Sequence, residues 1–427
     1  MKQNTSLVNV SYCLDRYLNK LIDTVPVNAY IHIPFCRRRC YYCDFPVSIV
    51  GNRPSSNAST MVVEYLEALT AEIRLFSNNF HKKPLTTVFF GGGTPSILSA
   101  KQLATVITCL DKQFGIASDA EISMEIDPGT FNKEQLLGYL QAGINRLSLG
   151  VQTFDDKLLQ VCGRSHSRTE VFQAIEIIRQ VGVNNFSLDL ISGLPYQSLS
   201  QCQDALDTAV AIGPKHLSCY DLVLEPVTAF GKQYQPGKKP LPDDETAAEM
   251  YRLTQQTLTK AEYQHYEISN YALAGYQCRH NRVYWKNLPF YGFGMGAASF
   301  INGKRFIRPR TRKEYYTWVK KGAEIDTPVI STDDWLLETL MLGLRLAEGV
   351  NISQFERPIL DKIAVAMQPY IAKGWIEVKD KYSQKIALNS GNLTALNLNT
   401  ETRLRLSDPE GFLFSNTILS DLFEALV

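Results

Sequence analysis

The chain has no long apolar run, almost no net charge and few cysteines outside one short segment, and each absence removes a class of function. No stretch of about 18 or more apolar residues occurs, so a membrane-spanning helix is not expected. Residues 1–28 lack the basic start and apolar centre of a secretory signal. Lysine and arginine number 44 against 43 aspartates and glutamates, a formal net charge of +1. Such a chain carries no overall field to draw nucleic acid or an acidic membrane, and nucleic acid is not an expected partner. Of nine cysteines, an odd number, three fall between positions 36 and 43 and the rest are scattered. That is not a disulfide framework; it fits a reducing cytoplasm and one metal site. Internal repeats and low-complexity tracts are also missing. What remains, 427 residues at 45% hydrophobic and 20% charged, suffices for two or three domains, or for one large barrel with an appendage.

From Tyr30 to about Val223, β-like runs alternate with amphipathic ones. The expected strands are Tyr30–Ile33, Thr86–Phe90, Glu121–Ile126, Arg146–Gly150, Phe186–Ile191 and His216–Leu222. The expected helices between them are Met61–Phe76, Ala100–Gln113, Lys133–Gln141, Thr169–Gln180 and Ser200–Ala211. This alternation predicts an α/β fold of repeated βα units, a parallel sheet curled into a full or partial barrel. Chemistry in such a fold gathers at the C-terminal ends of strands. There the chain places Gly91-Gly92-Gly93-Thr94-Pro95, Glu125-Ile126-Asp127-Pro128, Gln152, and Asp189 ahead of Gly193-Leu194-Pro195. Asp243–Tyr263 reads as a further helix, and Tyr266–Tyr271 and Ser299–Ile307 as strands beyond the six-unit core. After Pro328 the pattern changes. Helices are expected at Trp335–Leu346, Phe355–Ile371 and Ser415–Leu426, with a hairpin of Trp375–Lys379 and Lys385–Leu388. The expected domains are therefore an N-terminal extension (1–29), a barrel with accessory strands (30–329) and a small α/β, winged-helix-like domain (330–427).

The chemistry-bearing segment is His32-Ile-Pro-Phe-Cys36-Arg-Arg-Arg-Cys40-Tyr-Tyr-Cys43. Three thiolates at spacings of four and three can wrap an iron–sulfur cluster from one loop, because soft sulfur ligands suit such centres. A zinc site would want a fourth Cys or His nearby, and none follows. Three ligands on a four-iron cluster leave one iron open. Structural or redox cysteines are the bland alternative, favoured for a lone CxxC but not for CxxxCxxC at the exit of a first barrel strand.

CxxxCxxC with Tyr42 before the last cysteine resembles the radical S-adenosylmethionine (SAM) superfamily. Tyr30-Ile-His-Ile-Pro-Phe-Cys, Gly91-Gly-Gly-Thr-Pro, Glu125-Ile-Asp-Pro, Gly150-Val-Gln-Thr-Phe, Arg164, Asp189-Leu-Ile-Ser-Gly-Leu-Pro and Arg405-Leu-Ser-Asp-Pro-Glu-Gly narrow the likeness. Together they are similar to the oxygen-independent coproporphyrinogen III oxidase group, and most of all to its heme chaperone branch. The resemblance implies a partial (β/α)6 barrel with a C-terminal accessory domain of that group. It implies a 4Fe–4S cluster on Cys36, Cys40 and Cys43, with SAM on the open iron. It also implies SAM contacts at Tyr30, Gly92 and Glu125. Tyr42, Gly93, Thr94, Gln152, Arg164 and Asp189 match positions that meet a second SAM in the oxidases; one SAM or two stays open here.

Two features bear on the branch. The oxidases carry a further cysteine two residues after the last ligand, where this chain has Phe45, which argues against oxidase activity. The segment Cys278-Arg-His280-Asn281-Arg-Val-Tyr284-Trp285 resembles the HNxxYW motif of the heme chaperones. An imidazole at His280 can ligate heme iron, Cys278 is a rival ligand, Tyr284 and Trp285 offer flat surfaces, and Arg279 or Arg282 can pair with propionates. A single His beside aromatics is, residue for residue, more often packed than a ligand. The reading is a cytoplasmic heme chaperone that binds heme and hands it to a hemoprotein, with weak membrane association only through such an acceptor. The alternatives are radical decarboxylation of coproporphyrinogen III and radical SAM chemistry on another tetrapyrrole.

Overall fold

The computed structural model of the chain describes residues 22–51, 60–79, 83–380, 384, 386 and 401–426. Six parallel strands form its centre: β1 (Asn28–Ile33), β2 (Leu85–Gly92), β3 (Ile116–Ile126), β4 (Arg146–Gln152), β5 (Phe186–Ser192) and β6 (His216–Asp221), paired in chain order. The crossover helices are α1 (Thr60–Asn79), α2 (Ala100–Phe114), α3 (Lys133–Gln141), α4 (Arg168–Gln180) and α5 (Leu199–Ile212). Three of them start alike. Ser99, Ser167 and Ser198 each cap with the side chain while Gln102, Glu170 and Gln201 reach back, a complete capping box at α2, α4 and α5.

The sheet extends at both edges and stays open. Beyond β6 lie two antiparallel strands, β7 (Gln264–Glu267) and β8 (Asn270–Ala272); beyond β1 lies parallel β9 (Tyr291–Phe293). The expected strand Tyr266–Tyr271 is thus two strands, reversed across Ile268-Ser269, and Ser299–Ile307 is a hairpin of Ala298–Ile301 and Lys304–Ile307. The helix expected to reach Tyr263 is α6 (Asp244–Lys260). Among the elements with no expectation behind them are β9, the helix α7 (Arg279–Trp285) and the helix Arg312–Lys320. Short apolar runs such as Tyr291–Phe293 give too few periods to tell strand from loop.

Residues 330 onward build a second core of their own around Trp335, Leu340, Ile363, Met367, Leu404 and Ile418. Its three-stranded sheet places Arg403–Leu406 between Val350–Asn351 and Ile376–Lys379. Of the hairpin arm expected at Lys385–Leu388, only Ile386 lies within the described residues, and its N–H donates to Val378 O at 2.8 Å. Residues 1–21 of the expected N-terminal extension lie outside the described residues. The second core is joined to the barrel rather than tethered to it. Tyr251 of α6 belongs to it, and Arg252 grips Glu410 at 2.7 and 3.0 Å. Removing a buried aromatic from this joint should cost about 3–5 kcal/mol. Tyr251→Ala should show that loss in urea unfolding, and an unchanged midpoint would mean the joint carries no stability. Among the described residues no helix is long and apolar enough to cross a membrane.

Candidate functional site

Period-two alternation along β1–β6 sends apolar side chains outward and polar ones inward. Ile31, Val88, Met124, Leu149, Leu188 and Leu217 pack under the helices. Facing inward are Tyr30, Phe89, Glu125, Arg146, Ser148, Asp189, Ser218 and Tyr220, and they line a chamber of about 480 Å³. Barrel interiors are ordinarily filled by bulky side chains; here serines leave the space. A second cavity of about 470 Å³ lies toward the C-terminal strand ends and shares Gly92, Glu125, Ser148, Asp189 and Tyr220 with the chamber.

The cysteine loop closes the outer cavity, which Cys36, Cys40 and Cys43 all line. The loop is held from several sides. Gly93 N–H donates to Ile33 O at 2.9 Å and Thr94 N–H to Phe35 O at 2.7 Å. Arg39 reaches the Cys43 and Phe45 carbonyls, each at 3.2 Å. Thr94 Oγ1 donates to Cys36 Sγ at 3.7 Å and Arg164 Nη1 to Cys40 Sγ at 3.5 Å. Burial pushes the Cys36 thiol up to about 12 and the Cys43 thiol upward as well.

Glycine is required beneath the loop. A Cβ on Gly93 would meet Phe35 O at 2.7 Å and Cys36 Sγ at 3.0 Å. On Gly92, whose φ is +115°, it would meet the His32 ring at 2.4 Å. Among the described residues, no three His, Cys, Asp or Glu side chains gather around a single ion. A cluster asks for something different, one iron for each thiolate. Three thiols on one cavity wall, with Thr94 and Arg164 donating to two of them, fit that donor set.

The expected SAM-contact residues fall into three groups. Tyr42, Gly93, Thr94, Gln152 and Arg164 line the outer cavity alone; Gly92, Glu125 and Asp189 line both. Tyr30 lines only the inner chamber, where its hydroxyl meets His32 Nδ1 at 3.0 Å. Glu125 accepts from Gly92 N–H at 3.1 Å. Burial, with Asp189 and Asp127 adding like charge, raises its pKa to about 8. Asp189 accepts from Ser148 Oγ at 3.0 Å, and burial moves its carboxyl upward too. Arg164 is ion-paired with Asp127, a carboxylate the sequence placed on the right strand end without assigning it to the site.

The structure places His280 on the wall of neither cavity. The α7 helix lies across the N-terminal ends of the strands, as the chamber's floor. Its leading amides at Arg279 and His280 donate to the Glu121 carboxylate, each at 3.1 Å. His280 is fully buried. Its Nδ1 meets Thr87 Oγ1 at 2.7 Å and its Nε2 meets Tyr284 OH at 2.8 Å. Burial lowers its pKa to about 3. With both nitrogens bonded and no face on either cavity, this imidazole holds the floor together and does not face a ligand. The rival Cys278 is buried as well, against Glu121. Arg282 pairs with Glu348 at 2.6 Å, Arg279 is exposed and donates to Asp119 O at 2.7 Å, and neither lines the chamber. Asn281 and Tyr284 do face the chamber, as do Phe290 and Arg146. The sequence places Arg146 only at the start of a strand; its basic side chain at an inward position is the signal that marks it.

Residues 30–209 match the model of the radical SAM superfamily, and residues 330–384 match that of the HemN C-terminal domain. The chain is similar to the heme chaperone HemW of Synechocystis sp., at 49% identity over 94% of this chain and 97% of that one. To HemW of Bacillus subtilis it is 38% identical, over 77% and 86%, and to HemW of Escherichia coli 34%, over 87% and 98%. Its fold matches coproporphyrinogen III oxidase (HemN) from Escherichia coli with a TM-score of 0.77, covering 96% of this chain and 93% of that one at 21% identity. Superfamily membership implies a 4Fe–4S cluster and SAM, and similarity of this extent along nearly the whole length leads to one conclusion: the chain belongs to the HemW family of radical SAM proteins.

Proposed function

We propose that this protein is a heme chaperone of the cytoplasm, carrying a 4Fe–4S cluster on Cys36, Cys40 and Cys43, and that it delivers heme to an acceptor hemoprotein. One observation carries the reading: the chain is similar to heme chaperones over 94%, 77% and 87% of its length. Phe45, where the oxidases have their extra cysteine, agrees with it. Phe45 is 55% exposed and lines both cavities, so no thiol stands at that place for oxidase chemistry. A heme titration run beside an anaerobic assay for protoporphyrinogen tests the reading. Residues 330–427 serve as an accessory domain that carries none of the cluster's ligands.

When bound, cluster and SAM together supply one-electron cleavage of a sulfonium. The chain's own residues bind and shield. Arg164 neutralises the wall beside Cys40, Gly92 and Gly93 let backbone approach SAM closely, and Glu125 takes a donor from it. Losing that charge-assisted bond in Glu125→Ala should weaken SAM binding by about 1.5–3 kcal/mol, roughly 10- to 150-fold. Equal affinity in calorimetry would remove Glu125 from the site.

A pH dependence follows with a definite sign. Because Glu125 ionises only near pH 8 in the free protein, binding that needs its carboxylate must expel a proton at lower pH. SAM affinity should therefore rise between pH 6 and about 8 and level off above it. In Glu125→Gln this slope should vanish; a slope that persists assigns the titration to another group.

A further inference from the structure

One wall of the inner chamber is held from behind by an ion pair that no solvent reaches. Glu72 of α1 and Arg308 both have fully buried side chains, and Arg308 Nε donates to Glu72 Oε1 at 2.8 Å. Such a pair loses about as much in hydration as it gains in attraction, so stability alone does not explain it. What it holds is a stretch of backbone. Glu72 Oε2 accepts from Gly294 N–H at 2.9 Å and from Tyr315 OH at 2.7 Å. Arg308 Nη1 donates to Ser299 Oγ, which accepts from Gly292 N–H at 2.8 Å. Phe76, Phe293 and Phe306 pack around the guanidinium, their ring centres 4.6 to 5.8 Å from its carbon.

The two anchored amides belong to one run of chain. It begins in β9, where Gly292 pairs with Tyr30 of β1, and ends in Gly296, Ala297 and Ala298, which line the inner chamber and not the outer cavity. Tyr65 lies two turns before Glu72 on the same face of α1. Its hydroxyl donates to His32 O at 2.7 Å and accepts from Met295 N–H at 3.1 Å, so the run is bolted to β1 as well. Glycine is needed at Gly294, with φ at +101°, because a Cβ there would run into Tyr65 OH and meet His32 O at 2.7 Å. Glu72, Ser299, Arg308 and Tyr315 themselves line neither cavity.

We propose that Glu72 and Arg308 are positioning residues for SAM: through Gly294 and Gly292 they set the wall of Gly296, Ala297 and Ala298 against SAM's nucleoside end. This rests on SAM occupying the chamber that Tyr30, Gly92 and Glu125 line. Its amino-acid end goes to the open iron beside the thiols of the outer cavity, which leaves the inner chamber to the nucleoside. Neutral groups in place of the pair would hold the wall less firmly, because hydrogen bonds to charged groups are about twice as strong.

Calorimetric titration of cluster-loaded protein with SAM tests this. Beside it, methionine, which has the iron-binding end and no nucleoside, is added to the reduced cluster and its EPR signal recorded. Ser299→Ala removes the hydroxyl that joins Arg308 to Gly292 and should weaken SAM binding roughly 3- to 10-fold. Glu72→Gln puts an amide where three donors converge and should weaken it roughly 10- to 150-fold. In both variants the iron content and the methionine-induced EPR change should match the parent, which a general loss of structure would not allow. SAM affinity equal to the parent's in Ser299→Ala, with the cluster in place, overturns the proposal even if Glu72→Gln does not fold. So does a methionine response that weakens in step with SAM, because the pair then supports the whole site and not the nucleoside wall. A parent that binds SAM no better than its variants keeps the SAM reading and loses Glu72 and Arg308 as positioning residues. A parent that binds no SAM removes both.

Discussion

Changing Cys36, Cys40 and Cys43 together to alanine should take bound iron and sulfide from about four of each per chain to none. The effect is all-or-none because every thiol on the outer cavity wall comes from that one loop. Cys162 is buried with Leu158 and Phe230, Cys219 is half-buried and lines neither cavity, and Cys278 sits at the opposite end of the barrel. Anaerobic reconstitution followed by iron and sulfide analysis reads the result, with the broad charge-transfer absorption as an independent signal. The variant should keep its fold, since the loop is held mainly by backbone bonds from Gly93 and Thr94 and by Arg39. Cluster content unchanged in the triple variant would place the iron elsewhere and remove the basis of the site.

The second large effect concerns function. Cluster-loaded protein should bind heme saturably and, with SAM and a reductant under anaerobic conditions, should form no protoporphyrinogen from coproporphyrinogen III. Turnover at enzymatic rates would defeat the chaperone reading, as would the absence of saturable heme binding. The structure also changes what His280→Ala should do. Its imidazole is bonded to Thr87 and Tyr284 and stacked on Phe89 at 5.3 Å. Deleting it leaves the Tyr284 hydroxyl without its partner, worth about 1–3 kcal/mol, while Thr87 keeps its bond to Asn28 at 3.0 Å. The expected result is a less stable protein whose bound heme keeps the parent's Soret band. A shifted band, with stability unchanged, would return His280 to the iron.

Much of this was legible in the chain because it is local. The six central strands and their helices follow from hydrophobic period and capping serines, interactions that span a few residues. The ligand loop is legible for the same reason: Cys36, Cys40 and Cys43 lie within eight positions, so their spacing survives any arrangement of the rest. The position of Glu125, Gln152 and Asp189 at one end of the sheet follows from the parallel topology alone.

What the sequence could not decide depends on contacts between distant segments. His280 and Tyr284 look the same in sequence whether they face a ligand or plug a barrel. The difference is made by Glu121 and Thr87, more than 150 positions away, which anchor α7 across the strand ends. Arg146 shows the reverse case. Its place on an inward face was readable, but its surroundings were not, because the field at a buried charge is set by every neighbour at once. By itself the sequence determined the fold class, the cluster loop and the family, all carried by short-range pattern. Only the tertiary structure decided which polar groups are satisfied by the protein and which are left facing open space, because burial and pairing exist only once the chain has closed around them.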